Sequence, residues 1–349
     1  MDGVFTDGTL LITTDGEMLR KMNVKDGYAL KTAINKGYNV CIITGGTNDG
    51  VRKRLEGLGV ENIYLGAHLK EEPLENALKM ASFHTGKTRV IAFKNGFHGR
   101  TSAAVAATDN EKINAPLNKQ QKVTILPLND IASFKTEIEK GDICAVIIES
   151  IQGVGGLDEP STEFYHEIAR LSKENSVVLI ADEVQSGFGR SGEFFGFQHH
   201  DIQPDIISIA KGMGNGFPVG GILIHENIKA SYGLLGTTFG GNHLACVATM
   251  AVLEVLEKEN LVANAKVLGE YFNQKAAEIT QVKRVKGRGL MLGLEFDFEV
   301  AELRKKLIYN QRLFTGGAKD KFVLRILPAL NITKEDLDLF FNALKRELS

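Results

Sequence analysis

The chain has 349 residues, 43% hydrophobic and 24% charged, with 41 basic against 43 acidic side chains for a formal net charge of -2. That balance excludes a disordered or fibrous protein, suffices for a sizeable core in roughly two domains, and gives no electrostatic reason to expect nucleic acid or an acidic membrane as partner. No apolar run approaches the roughly 20 residues that cross a bilayer, the N-terminus lacks a basic-then-apolar leader, and Cys41, Cys144 and Cys246 lie far apart without a C-x-x-C pair, so a cytoplasmic protein with small-molecule partners is expected.

Residues 1–70 read as a compact α/β unit. Short apolar runs at 9–13, 39–44 and 62–65 alternate with helical patterns at 27–36 and 50–58, the arrangement expected of parallel β-α-β winding. The second run ends in I-T-G-G, where the Thr44 hydroxyl beside glycines either holds a phosphate or simply turns the chain. Around 69–76 the character changes: a charged run and a proline lead into Leu74, Leu78 and Ala81 at helical spacing, stopped by Gly86. Apolar β-type runs follow at 89–93, 122–128, 143–151, 177–181, 206–210 and 219–224, with Phe164, Ile168 and Leu171 along one helix face. Runs apolar on both faces imply a largely parallel sheet covered by helices on each side. From about residue 265 a smaller α/β region begins. It closes with a helix capped by Thr333 and Asp336, whose buried stripe is Leu337, Phe340, Phe341 and Leu344. The expected domains are 1–70, 71–264 and 265–349.

Two groups of opposite charge stand at strand ends, Asp182 after V-V-L-I-A and Lys211 after D-I-I-S-I-A, the lysine followed by a glycine-rich stretch to Gly221. In an open parallel sheet that edge is where ligands bind. Three further stretches converge on it. N-G-F-H-G-R-T at 95–101 brings Phe97 and His98 beside Arg100, E-S-I-Q-G-V-G-G at 149–156 puts Glu149 before a glycine-rich loop, and G-T-T-F-G-G-N at 236–242 sets Thr238 in a glycine-rich turn. Taken singly, each has an ordinary reading as a surface lysine, a helix cap or a turn.

Together, the strings FHGRTSAAVAA, DEVQSGFGR, AKGMGNGFP, TTFGGN and GRGLMLGLEF resemble the class III aminotransferases that use pyridoxal phosphate, over about residues 75–349, and favour the acetylornithine branch. The resemblance implies a fold-type I aminotransferase, with a mostly parallel sheet and a smaller C-terminal α/β domain. It implies that Lys211 forms the Schiff base with the cofactor aldehyde and then shuttles the substrate proton, while Asp182 keeps the pyridine nitrogen protonated. Phe97 would stack on the ring, Gln185 would hydrogen-bond its phenolic oxygen, and His98 and Glu149 belong to the same cofactor-binding set. Thr238 would reach the cofactor phosphate of a neighbouring subunit, which implies a homodimer. Arg100 and Arg325 match the family's substrate arginines, whose planar forks suit a pair of substrates including a dicarboxylate such as 2-oxoglutarate. No metal is implied.

The match has departures. Val154 stands where the family commonly has a glutamate, Ser150 and His243 where proline is usual, and LKEEPL at 69–74 where an S-G-A-E-A-N loop holds the phosphate on helix-start amides; Glu71 and Glu72 would repel that phosphate. Upstream, MDGVFTDG at 1–8, MNVKDG at 22–27, IITGG at 42–46 and YLGAHLK at 64–70 resemble the haloacid-dehalogenase-type 3-deoxy-manno-octulosonate 8-phosphate phosphatases, implying a partial Rossmann-like phosphatase unit. By that resemblance Asp2 is the second aspartate of a D-x-D pair, and Thr44 and Lys70 are the phosphate-holding hydroxyl and lysine. The nucleophilic aspartate would precede Met1 and the later G-D-D motif has no counterpart, so no phosphatase turnover is expected. Three readings stay open: transamination between an ω-amine such as N-acetylornithine and 2-oxoglutarate, sugar-phosphate hydrolysis, and an inactive fusion of two truncated enzymes.

Overall fold

The computed structural model describes residues 6–12, 18–22, 31, 41–44, 49–59, 62–65, 72–229, 231, 234–236 and 240–349, and the chain divides into two compact units, Met1–Leu69 and Lys70–Ser349. In the first unit, β1 (Thr6–Ile12) and β2 (Met18–Met22) pair antiparallel, and β3 (Cys41–Thr44) and β4 (Asn62–Leu65) pair parallel, with the helix Asp49–Glu56 between them in sequence. The parallel pair is as expected of the runs at 39–44 and 62–65, whereas the strand Met18–Met22 and its antiparallel pairing were not expected. A parallel connection needs a crossover of roughly a dozen residues or more, and the short link here includes Asp15-Gly16, a dipeptide suited to a tight hairpin. Thr44 ends β3. Asp2, Lys70 and, apart from Lys31, the helical pattern at 27–36 lie outside the described residues.

The second unit opens with the helix Glu72–Thr85, which buries Leu74, Ala77, Leu78, Met80 and Ala81 and is followed by Gly86 at φ 69°, a left-handed position that glycine adopts without steric cost. Then come β5 (Arg89–Phe93), β6 (Val123–Leu126), β7 (Ile143–Glu149), β8 (Val178–Asp182), β9 (Ile206–Ile209) and β10 (Gly221–Ile224). Among the described residues they form one sheet in the order β10-β9-β8-β7-β5-β6, parallel throughout except for the edge strand β10. Side chains alternate across this sheet, and both faces are dry. Val178 and Ile180 join Leu74, Leu78 and Ile147 in one apolar layer, while Leu179 and Ala181 join Phe93, Phe134, Phe164, Ile168 and Leu171 in the other. The strand order reverses at β5, which has β6 on one side and β7 on the other, so a crevice opens beyond the carboxyl ends of β5 and β7.

The C-terminal part has its own antiparallel sheet in the order β11-β12-β14-β13, formed by Arg284–Arg288, Met291–Glu295, Gly316–Gly317 and Val323–Ile326. The helices Leu261–Ala277, Ala301–Gln311 and Lys334–Leu348 share a core with it that includes Phe272, Leu292, Leu324, Leu337, Phe340, Phe341 and Leu344. The last helix starts at the expected capping box: Asp336 N donates to Thr333 Oγ1 at 3.3 Å and Thr333 N donates to Asp336 Oδ2 at 3.1 Å. Among the described residues no helix is long and apolar enough to cross a membrane.

Phe164 is fully buried and meets Phe93 edge-on, with ring centres 5.5 Å apart. Truncating such a ring costs about 3–5 kcal/mol. Urea unfolding of Phe164→Ala should show a loss of that size, and a loss below about 1 kcal/mol would contradict this packing.

Candidate active site

The site grows from the register of two strands. Glu149, the last residue of β7, lies opposite Asp182, the last residue of β8, so two carboxylates arrive side by side at the carboxyl edge, 5% and 4% exposed. Burying two negative charges together requires donors aimed at them. The chain supplies these from the loops around the crevice. His98 Nδ1 donates to Asp182 Oδ2 at 2.8 Å, and Val184 N donates to Asp182 Oδ1 at 3.2 Å. Glu149 receives Phe97 N at 2.8 Å on Oε1 and Gly153 N at 3.0 Å on Oε2.

These bonds explain the local conformations. After β5 the chain turns through Asn95, at φ 64°, and Gly96, where an added Cβ would lie 2.9 Å from Phe93 O. That tight turn sends the amides of Phe97 and His98 inward, and His98 N donates to Thr108 Oγ1 at 2.9 Å. At Gly153 an added Cβ would collide with the Gln185 carboxamide, so glycine lets the loop and Gln185 share the space. Burial works against the charged form of His98, but the hydrogen bond and charge of Asp182, with Glu149 nearby, outweigh it and hold the imidazole above its ordinary range. For Glu149 burial dominates and pushes the carboxyl up to about 7.

Lys211 follows β9 directly, at the start of a short 3-10 turn, with φ 45°. A left-handed backbone at a lysine costs on the order of 1 kcal/mol or more, and such strain gathers at functional positions. Lys211 lines a cavity of about 800 Å³ together with Gln185, Phe188, Arg190 and Arg325. In that cavity Gln185 Oε1 is buried without a partner, and so is Arg325 Nε. Arg325 Nη1 donates to Gly153 O at 2.5 Å. Glu149 thus connects through Gly153 to Arg325, a link that sequence spacing did not reveal. Burial, and then nearby Arg304, push the Arg325 guanidinium down from its ordinary range.

The remaining expected residues are placed as follows. Arg100 is exposed and does not line this cavity. Thr238 lies outside the described residues. His243 is the first residue of the helix His243–Lys258 after the cap Asn242, a position where proline fits because its amide has no helical partner. Of the replaced loop, residues 69–71 are not described, but the helix that follows starts at Glu72. Its Pro73 Cγ would lie 2.5 Å from a Cβ at Gly220, which is itself beside Ala210, the neighbour of Lys211. The first turn of that helix is therefore close to the residue that precedes Lys211. Sequence reasoning passed over Arg190, which donates through Nη1 to the carbonyls of Leu290 and Pro328 and ties the turn after β8 to the C-terminal part; its place at the end of DEVQSGFGR was the available signal. Among the described residues there is no cluster of His, Cys, Asp and Glu that could hold a metal ion.

Against known proteins, the sequence model of the family described as Aminotransferase class-III matches residues 71–348. The acetylornithine aminotransferase of Bacillus subtilis (strain 168) is 38% identical over 284 residues, 80% of this chain and 73% of that protein. The acetylornithine aminotransferase of Aquifex aeolicus (strain VF5) is 40% identical over 290 residues, covering 79% and 74%. Among solved structures, the ornithine aminotransferase of Toxoplasma gondii ME49 has the same fold at a TM-score of 0.75 and 22% identity, covering 97% of this chain and 88% of that one. Lysine aminotransferase from M. tuberculosis aligns at a TM-score of 0.71 and 25% identity, covering 81% and 74%.

The buried carboxyl has a pH signature. Glu149 is raised from 4.5 to about 7, so between those values the folded chain keeps a proton that the unfolded chain has released. Its contribution to stability is present at the acid end and is lost as pH rises through about 7. His98, raised above 6.5, acts in the same direction, contributing below that value and fading as pH passes its higher folded value. In urea unfolding, Glu149→Gln should therefore cost less stability relative to wild type at about pH 8 than at about pH 5. An equal cost at both would mean that Glu149 is ionised throughout.

Proposed function

Because residues 71–348 place the chain in the class III aminotransferase family, whose members use pyridoxal 5'-phosphate, we propose that it transfers an amino group from an ω-amino donor such as N-acetylornithine to 2-oxoglutarate, as the names of its relatives suggest. The observation that carries this reading is the meeting of Lys211, Gln185 and Arg325 on one cavity beside the buried Asp182–His98 pair.

The residues present suit the cofactor. Gln185 Oε1, buried and unpartnered, is an acceptor matched to the ring's phenolic hydroxyl. Asp182, held by His98 Nδ1 at 2.8 Å, would sit against the ring nitrogen, and Phe97, fixed through its amide to Glu149, would cover a ring face. The start of the helix Glu72–Thr85 beside Gly220 supports a phosphate site there. When bound, pyridoxal phosphate supplies an electron sink for the pair left as the substrate Cα loses its proton.

The chain's own groups do the rest. Lys211 Nζ would hold the cofactor covalently, be released by the incoming amine, and then carry the proton to and from the substrate carbon. Asp182 would face the ring nitrogen that must stay protonated, and its buried bond to His98 holds its carboxyl group in place. Arg325 has Nη1 on Gly153 O and a buried Nε without a partner, a donor left over that would suit a substrate carboxylate. Arg100 completes the substrate set in this proposal. A homodimer in which Thr238 serves the neighbouring cofactor is part of the same reading, supported by Val247, Met250 and Leu253, which are exposed along the helix His243–Lys258. So is a cytoplasmic setting.

Residues 1–70 lie outside the family match. The parallel pair β3–β4, with Thr44 at its carboxyl end, is the feature that suits the phosphatase reading of Asp2, Thr44 and Lys70. Phosphate release from a sugar phosphate in the presence of magnesium tests it, and none is expected.

For the transaminase, protein mixed with pyridoxal phosphate should develop the absorption of lysine-bound cofactor and convert N-acetylornithine with 2-oxoglutarate. Lys211→Ala should lose the band and at least about 10²–10⁴-fold in turnover. Asp182→Asn should lower kcat far more than cofactor affinity. A wild-type protein without the band would overturn the reading.

A further inference from the structure

Directly after Asp182 comes a carboxylate that the mechanism above does not use. Glu183 is 0% exposed, and its oxygens accept four hydrogen bonds. Oε1 takes Ser150 Oγ at 2.7 Å and Phe197 N at 3.0 Å; Oε2 takes Ser186 Oγ at 2.7 Å and Gly196 N at 2.8 Å. An ionised carboxylate has about four acceptor positions, so this one is filled. The socket is closed tightly: a Cβ at Gly196 would lie 2.8 Å from Ser150 Cβ, 3.1 Å from Ser186 Cβ and 3.3 Å from Glu183 Oε1. Burial pushes the Glu183 carboxyl up, and the donors oppose it.

The donors are not equivalent. Ser186 lies on the same turn as Glu183, and Gly196 and Phe197 follow shortly after it. Ser150 comes from the neighbouring strand end. It follows Glu149, as Glu183 follows Asp182, and Glu149 faces Asp182 in the ladder. The Ser150–Glu183 bond therefore continues the β7–β8 pairing one step past its last backbone pair. On the other side, Glu183 N donates to Ser208 O of β9 at 3.0 Å. The turn that presents Asp182 and Gln185 is thus fastened to both neighbouring strands through the residue between them. Proline, usual at position 150 in the resemblance noted above, has no hydroxyl and could not make this bond.

We propose that Ser150 is a positioning residue of the transamination site: through Glu183 its hydroxyl sets the orientation of Asp182 and Gln185 toward the cofactor ring. This rests on the pyridoxal phosphate reading above. A merely structural serine would affect folding alone, whereas a positioning serine also changes how the ring sits and how fast the proton moves.

The test compares wild type, Ser150→Ala, Ser150→Pro and Ser186→Ala, each loaded with pyridoxal phosphate. The readouts are thermal unfolding of the cofactor-free protein, cofactor dissociation, the induced circular dichroism of the bound cofactor, and kcat and KM separately. Losing one bond to a charged group should lower kcat of Ser150→Ala by roughly tenfold or more, with KM within about twofold and the induced signal altered. Ser150→Pro should behave like Ser150→Ala, and Ser186→Ala, which removes a donor within the turn, should lower kcat less. If Ser150→Ala does not fold, Ser150→Cys, with a weaker donor, should give an intermediate kcat and signal. A lower melting temperature with wild-type kcat and wild-type induced signal would overturn the proposal, as would equal kcat losses for Ser150→Ala and Ser186→Ala. A wild type that binds no cofactor would instead overturn the underlying reading, and the proposal with it.

Discussion

Two carboxylates ending adjacent parallel strands are the constraint around which this site is built. Parallel register places Glu149 against Asp182, and the apolar layers on both faces of the sheet leave them no water. Each must then be matched by donors from the chain itself. The turn at Asn95–Gly96, the glycine at 153 and the burial of His98 all follow from that requirement, since each brings an N–H within 3.0 Å of a carboxylate oxygen. Glu183, one residue on, meets the same problem with two hydroxyls and two amides.

The same bonds hold the C-terminal part to the site. Gly153 gives its N–H to Glu149 and its carbonyl to Arg325. Along the same loop Val154 O and Gly155 O accept from Lys319 N and Asp320 N, at 2.8 and 3.2 Å. Lys319 Nζ reaches Asp109 Oδ2 at 2.8 Å, and that oxygen also takes the amide of Asn95 at 2.8 Å. Arg325 is thus bonded to the same loop that carries a donor to Glu149.

Much of this was legible in the residues, for identifiable reasons. Strands such as Arg89–Phe93 and the capping box at Thr333 and Asp336 depend on local pattern, and the structure places them where the pattern does. Lys211 and Asp182 could be singled out because a charged residue ending an apolar strand run is conspicuous. The antiparallel pairing of β1 and β2 was missed because the charged stretch 18–22 was not read as a strand, although Asp15-Gly16 favours a hairpin. The amides of Phe97 and Gly153 that donate to Glu149 are partners that strand-end spacing cannot name. Ser150 was visible only as an unusual residue, since its partner lies 33 positions away.

By itself the sequence determined the alternation of strands and helices, the burial of the sheet, and the identity of the groups at its carboxyl edge, because these follow from periodicity and from residues next to one another. Only the tertiary structure decided which carboxylate faces which, that Gln185 keeps an unpartnered oxygen in the cavity of Lys211, and that Arg325 is anchored to the loop beside Glu149. Strand register and loop closure set those distances. Both are settled by contacts between residues far apart in the chain, where local pattern carries no information.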